Sequence, residues 1–204
     1  MTYEKQPDQH STGRWTMKNN NKWNNKITQL DRKQWGGHQL MFRYTAHNYY
    51  DLEIKQSEDG FITTLTKKPF DVPFEKKPDD TDKLFQPWWE DVMAWGIVEN
   101  EQLIAVIETA VEGWSNRLIV TELWIDYNYR RQGIATALMD IAKKRAIEEK
   151  RRLLMLETQS CNEGAIAFYL QYGFELIGFD KYAYSNNDTE RKEIRLNMGM
   201  IIND

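Results

Sequence analysis

A buried strand, a glycine-containing turn and an amphipathic helix follow one another in the middle of the chain, and this succession constrains the fold most. Residues 118–125 (LIVTELWI) are apolar and branched, as a buried strand should be. Residues 129–139 (YRRQGIATALM) form the turn and open the helix. Its apolar residues recur at helical spacing: Ile134, Ala137, Leu138, Ile141 and Ala142. A helix that follows a buried strand directly predicts a crossover to a parallel neighbour in an α/β sheet.

The turn between this strand and helix suits an anion. Helix N-termini carry unpaired N–H groups and the positive end of the dipole, and Gly133 lets a ligand approach the backbone closely. The pattern is not the three-glycine dinucleotide fingerprint, since Ala135 replaces the second glycine, and it lacks the Gly-Lys-Ser/Thr of a P-loop. Alone, this pattern is weak evidence for an anion site, and a plain turn with solvated arginines is the alternative interpretation.

The remaining patterned segments predict hairpins on either side of this unit, and so a mixed sheet. In chain order they are a hairpin at 51–66 with Asp59-Gly60 as its turn, a connector at 67–92, a hairpin at 95–108 turning near Asn100, a strand at 151–159, a helix at 162–174 that Gly173 ends, and closing strands at 175–185 and 192–201.

Residues 1–38 differ in composition from the rest, because they are polar, rich in Asn, Lys and Gln, and without periodicity. We interpret them as a weakly ordered extension ahead of a single domain at residues 39–204. In the alternative interpretation, Trp15, Trp23 and Trp35 dock on that domain.

Several function classes fit poorly. A net charge of −4 and a pI near 5.5 argue weakly against nucleic-acid binding. One cysteine excludes an intramolecular disulfide framework, and we see neither a run of about 20 apolar residues nor a secretory signal, so we expect a cytoplasmic protein without a membrane partner. The three histidines, His10, His38 and His47, all precede the patterned region, so we expect no metal site and no Ser–His–Asp triad there.

Two stretches together, VTELWIDYNYRRQGIATALM and LETQSCNEGAIAFYLQYGF, resemble the GNAT acetyltransferase superfamily, and the likeness covers residues 95–198. The resemblance implies an α/β GNAT fold: a mixed, mostly antiparallel sheet with central, parallel, splayed strands and flanking helices. It also implies acetyl-CoA as cosubstrate, without a metal. The residues expected to hold its pyrophosphate are Arg131, Gln132, Gly133, Ile134, Ala135 and Thr136. The pantetheine arm is expected on the backbone of Leu123, Trp124 and Ile125 and on the side chain of Asn162.

The same resemblance assigns catalytic roles. Tyr169 is expected to protonate the departing thiolate, and Glu157 to remove a proton from the acceptor amine, with Glu122 as the next candidate base. A core aromatic is the alternative for Tyr169, and a satisfied carboxylate at a sheet edge is the alternative for Glu157. Cys161 has no histidine nearby in sequence, so we expect a structural thiol. The resemblance implies direct transfer in a ternary complex.

Residues 154–186 resemble the streptothricin acetyltransferases, a GNAT subgroup, through Leu-Glu-Thr-Gln at 156–159, Asn162, Phe-Tyr-x-x-x-Gly-Phe, Asp180 and Tyr-Ser-Asn at 184–186. This implies a small cationic amine as acceptor. A polycation favours carboxylates and aromatic faces. In the connector these are Asp79, Asp80, Asp82, Trp88, Trp89, Glu90 and Asp91, and past the second hairpin Glu108, Glu112 and Trp114. A solvated mixed-charge loop is the alternative, because lysines interleave.

Two other functions share this motif layout: an acetyltransferase for a protein N-terminus or lysine, and a non-catalytic CoA-sensing domain. The family also commonly forms dimers, and we expect a homodimer contact at the edge of the closing hairpin.

Overall fold

Residues 22–202 are described by a computed structural model of the chain, and the predicted elements are present with altered lengths. The strands are β1 (Thr28–Gln29), β2 (Tyr44–Ser57), β3 (Gly60–Lys76), β4 (Glu90–Glu99), β5 (Gln102–Glu112), β6 (Arg117–Ile125), β7 (Leu153–Gln159), β8 (Glu175–Asp180) and β9 (Arg195–Ile201). The helices are α1 (Arg32–Trp35), α2 (Ile134–Glu148), α3 (Glu163–Tyr172) and α4 (Asp188–Arg191). Among the described residues no helix is long and apolar enough to cross a bilayer.

Seven strands form one sheet in the order β1-β4-β5-β6-β7-β9-β8, and β2 and β3 form a separate hairpin. Strands β6 and β7 are parallel, as the crossover through α2 predicts, and the other neighbours are antiparallel. The expected mixed, mostly antiparallel sheet is therefore confirmed. Helix α2 packs its predicted apolar face on the sheet, where Ile134 and Leu138 are fully buried against Leu118 and Leu154. Strand β8 lies at the sheet edge, where the dimer contact stays a prediction.

The two parallel strands part halfway along their length. Their pairing runs from Arg117 opposite Leu153 to Val120 opposite Leu156 and then stops, although β7 continues beside β9 to its end at Gln159. At the same point β6 carries a bulge, because Glu108 and Thr109 on β5 face Glu122 and Val120, which leaves Thr121 as an extra residue. The bulge and the lost pairing open a gap at the centre of the sheet.

The N-terminal segment packs on the domain from residue 22 onward. Trp23 is buried in the main core and donates its indole N–H to the Gln132 carbonyl, at 3.0 Å. Trp35 is buried in a second cluster, and β1 pairs with β4. Trp23 and Trp35 are therefore buried against the domain, the boundary at residue 38 stays a prediction, and Trp15 lies outside the described residues.

The first hairpin turns at Asp59-Gly60 as predicted but is much longer, since β3 continues to Lys76. The prediction of a connector from residue 67 is wrong up to that point. Strand β3 contains Pro69 and Pro73. Within residues 22–202 it pairs with β2 alone, so its other edge needs no N–H donors and tolerates proline. The hairpin docks on α3 through Glu163, whose carboxylate accepts the N–H of His47 at 2.9 Å.

Candidate active site

A pocket of about 600 Å³ lies where β6 and β7 part. Its walls come from these two strands, the N-cap and buried face of α3, the loop that follows β3, the start of β2 and the segment around α4. Of the predicted site residues, it brings together Glu122, Leu123, Glu157, Asn162 and Tyr169. They come from three elements of the chain, so the gap in the sheet is what places them around one space.

Tyr169 faces the pocket from the buried side of α3. The helix begins at Asn162, whose side-chain oxygen accepts the Ala165 N–H at 3.3 Å, and it ends at Gly173 in the left-handed conformation. Its local start and stop signals therefore fix which face Tyr169 occupies. Burial, and to a lesser degree the charge of Glu122, raises the pKa of the phenol well above its usual range. The group holds its proton in the resting protein.

The two candidate bases differ in environment. Glu157 is exposed, and one carboxylate oxygen lies 3.3 Å from a guanidinium nitrogen of Arg195. Glu122 lies against the pocket interior just after the bulge at Thr121. Burial raises the pKa of Glu122 well above its usual value, and the strongest charge effects come from other carboxylates, Asp82 first.

The turn before α2 has the geometry of an anion site. Arg131 and Gly133 both have left-handed backbone conformations, with φ of 58° and 82°, and residues 131–133 are exposed. Within residues 22–202 no side-chain hydrogen bond caps this helix, and its first intrahelical bond runs from the Ala137 N–H to the Gly133 carbonyl, at 3.2 Å. The N–H groups of Ile134, Ala135 and Thr136 precede that bond and have no partner within the helix.

Strand β6 and Asn162 offer hydrogen-bonding groups to the gap. Because β6 loses its parallel neighbour after Val120, the stretch from Leu123 to Ile125 pairs with β5 alone within the described chain. One of its carbonyls is already engaged, since Ile125 accepts from the Arg130 side chain at 3.1 Å. The Trp124 side chain points away, into the second core cluster. Asn162 caps α3 through its oxygen, and no bond of its amide nitrogen is seen within the described chain.

Eight of the predicted acceptor residues do not line this pocket: Asp80, Trp88, Trp89, Glu90, Asp91, Glu108, Glu112 and Trp114. Asp91 pairs with the buried Arg145 near the C-terminal end of α2, at 2.7 Å, and Arg145 also donates to Thr109. Helix α2 leads away from its N-terminal turn, so this end of β4 is far from the gap. Trp88 is 67% exposed.

Glu108 is buried and has a structural use. One of its oxygens accepts the Phe85 N–H at 2.6 Å, and the other accepts the Thr121 hydroxyl at 2.8 Å. It thus joins the loop after β3 to the bulge in β6. Glu108 supports the pocket from behind rather than facing an acceptor.

The pocket also holds residues that the motifs did not assign. Asp79 and Asp82 were among the connector carboxylates, and Tyr184 belongs to the motif at 184–186, so the sequence carried a signal for these three. The sequence carried no such signal for Tyr44 or Glu193, because they lie at the ends of elements far from the motifs along the chain. Tyr44 donates its hydroxyl to Gln159 at 2.9 Å.

Replacement of Gly133 by Val tests the turn. A β-branched residue at φ 82° is strained by about 1–3 kcal/mol and crowds the N–H groups, so we expect affinity for acetyl-CoA to fall at least about tenfold, measured calorimetrically. Gly37→Val is the matched control, because Gly37 has φ 77° and open space around its side-chain position. It should lose similar stability but keep its affinity. Equal affinities in both variants would contradict an anion site at the turn.

Comparison with known proteins agrees with this architecture. The model of the acetyltransferase (GNAT) family matches residues 60–174, and the chain therefore belongs to that family. It is an N-acetyltransferase that uses acetyl-CoA as its cosubstrate.

Comparison with individual proteins is more specific than the match to the family. The chain is 27% identical over 133 residues to streptothricin acetyltransferase of Escherichia coli, which covers 65% of this chain and 71% of the relative. It is 29% identical over 136 residues to streptothricin acetyltransferase A of Bacillus subtilis (strain 168), covering 67% and 78%. The crystal structure of nourseothricin acetyltransferase matches with a TM-score of 0.67 at 26% identity, over 86% of this chain and 96% of that one.

Proposed function

We propose that this enzyme acetylates a primary amine of a small cationic antibiotic of the streptothricin type and so inactivates it. The observation that carries the proposal is the charge of the pocket, which five carboxylates and only two cationic side chains line. Such a surface favours an ammonium-bearing acceptor over a neutral one. The two curated relatives and nourseothricin acetyltransferase support the same acceptor class.

Acetyl-CoA would lie along the gap between β6 and β7. We propose that the turn at residues 131–136 holds its pyrophosphate, that the free edge of Leu123–Ile125 pairs with the pantetheine arm, and that the Asn162 amide donates to the arm. A backbone N–H of β6 would then polarise the thioester carbonyl. The left-handed backbone at Arg131 and Gly133 and the interrupted pairing of β6 support these placements.

We further propose direct transfer in a ternary complex, without an acyl-enzyme. Acetyl-CoA supplies an activated acetyl thioester. The acceptor nitrogen forms the new bond to the acetyl carbon while the carbon–sulfur bond breaks. Cys161 is unsuited to carry the acetyl group, because it is fully buried against Tyr44 and burial raises the pKa of its thiol to about 11. At neutral pH it is therefore not a thiolate.

Two protons have to move in this reaction. We propose that Tyr169 gives its phenolic proton to the departing thiolate and that Glu122 takes the proton from the acceptor nitrogen. Glu157, which the resemblance placed first, is the alternative base. The raised pKa of Glu122 favours it, because a carboxylate with a higher pKa is a stronger base. Glu157, by contrast, is exposed and paired with Arg195.

The test is thiol release from acetyl-CoA by the purified enzyme with a panel of acceptors: streptothricin, an aminoglycoside, spermidine, lysine and N-terminal peptides. We expect rapid turnover on streptothricin and a singly acetylated product by mass spectrometry. Turnover on a peptide alone would instead identify a protein acetyltransferase. Binding of acetyl-CoA without turnover on any acceptor would identify a CoA-sensing domain.

A further inference from the structure

Most charges that line the pocket are already neutralised by a neighbour. Lys76 pairs with Asp79 at 2.7 Å, and Arg191 pairs with Glu193. Both cations of the pocket wall are thereby engaged. Asp82 and Glu122 have no ion pair within the described chain.

Asp82 is the less expected member of this pair, because it lies on the loop after β3 and belongs to none of the motifs. One of its carboxylate oxygens is buried and has no hydrogen-bond partner in the part of the chain that the structure covers. The same residue lines the pocket and exerts the strongest charge effect on Glu122. A buried carboxylate oxygen without a hydrogen-bond partner is unfavourable, and an ammonium group in the pocket would supply one.

The backbone holds Asp82 in place. Its carbonyl accepts the Leu40 N–H at 2.8 Å, and the following Leu84 exchanges hydrogen bonds with His38 and Gly37. Leu84 is fully buried, and Phe85 is bound to Glu108. The carboxylate is therefore presented from an ordered loop rather than from a solvated one, which lowers the entropic cost of using it for binding.

We infer that Asp82 and Glu122 together form the receptor for the acceptor's ammonium group, and that Asp82 determines the preference for cationic acceptors. The inference rests on the proposed function. Glu122 receives the proton, and Asp82 orients the amine beside the gap. Asp82 is thus a specificity-determining residue for acceptors that carry a positive charge next to the reacting nitrogen.

The experiment compares Asp82→Asn with the wild type and with Asp80→Asn. Asp80 is two residues away, exposed and outside the pocket wall. Asp80→Asn therefore removes the same charge at a position that does not line the pocket. Streptothricin is titrated calorimetrically into each protein saturated with coenzyme A, which cannot donate an acetyl group. KM and kcat for streptothricin and the affinity for acetyl-CoA are then measured separately.

We expect Asp82→Asn to weaken streptothricin binding and to raise its KM by at least about tenfold, with acetyl-CoA affinity unchanged and kcat altered much less. Asp80→Asn should match the wild type in every measurement. Unchanged streptothricin binding in Asp82→Asn would overturn the inference while leaving the proposed function intact.

If the wild type neither binds nor acetylates streptothricin, the proposed function fails on its own. The same titration is then made with spermidine, a simple polycation. Weaker spermidine binding in Asp82→Asn than in Asp80→Asn would support the ammonium receptor, and equal or absent binding in all three proteins would overturn it.

Discussion

Replacement of Tyr169 by Phe is expected to lower kcat by about 10²–10⁴-fold, the usual contribution of a general acid, while affinity for acetyl-CoA stays almost unchanged. The phenol lines the pocket and keeps its proton in the resting enzyme, since burial and the Glu122 charge raise its pKa. Phenylalanine preserves the ring contacts with Phe168 and Phe174 and removes only the hydroxyl. The measurement is steady-state kinetics together with calorimetric binding of acetyl-CoA.

Tyr172→Phe is the matched control for this variant. Tyr172 lies three residues further along the same helix and donates its hydroxyl to Asp140 at 2.7 Å, outside the pocket. Its loss should leave kcat within about twofold, because removing one exposed hydrogen bond costs little. Equal losses of kcat and of acetyl-CoA affinity in Tyr169→Phe would show that the residue binds rather than donates.

The two proposed proton transfers are coupled through charge. The negative charge of Glu122 is one cause of the raised pKa of Tyr169, after burial. When Glu122 takes the proton from the acceptor nitrogen, that charge disappears and the phenol becomes a stronger acid. The Tyr169 phenol is therefore a stronger acid at the stage when the thiolate departs. This favours protonation of the sulfur over the reverse reaction, in which the thiolate attacks the acetyl group again.

The parts of the site that the sequence predicted are those with local signals. The turn at Gly133, the N-terminal cap at Asn162 and the stop at Gly173 each lie within a few residues of the backbone conformation that they determine. The resemblance assigned Tyr169 to the site, and the residue lies on the buried face of α3. The parallel pairing of β6 and β7 followed from the length of the helix between them.

The acceptor side depends on contacts between distant residues and was predicted less well. Asp82 and Asp91 come from one connector of mixed charge, yet Asp82 reaches the pocket and Asp91 pairs with Arg145 near the far end of α2. No local periodicity in the sequence distinguishes Asp82 from Asp91. The difference arises because the backbone from residue 37 to 40 holds the loop after β3, whereas Asp91 already belongs to β4. The same reason explains why burial of Trp23 and Trp35 was only an alternative.

Replacement of Glu122 by Gln is expected to lower kcat/KM by about 10²–10⁴-fold, because the proposed base is lost. In the wild type, kcat/KM should rise with pH through the raised pKa of Glu122, since only the carboxylate accepts a proton. The variant should lack this rise. Glu157→Gln is made in parallel, and a much smaller loss is expected because that carboxylate is exposed and paired with Arg195. The reverse ranking of the two variants would assign the base to Glu157.

Thermal unfolding distinguishes a lost base from a damaged fold. A carboxyl group whose pKa is raised on folding stabilises the protein fully below its unfolded pKa, and this contribution is lost as the pH rises through the folded value. Glu122 is such a group, so the wild type without added ligand should lose stability as the pH rises through the raised pKa of Glu122. Over the same pH range Glu122→Gln should lose less stability than the wild type. At neutral pH its Tm should be no lower than that of the wild type. Glu175→Gln, an exposed change on β8, is the control and should affect neither activity nor the pH dependence of Tm. A lower Tm in Glu122→Gln would mean that its inactivity reports misfolding, and the base assignment would then lose its support.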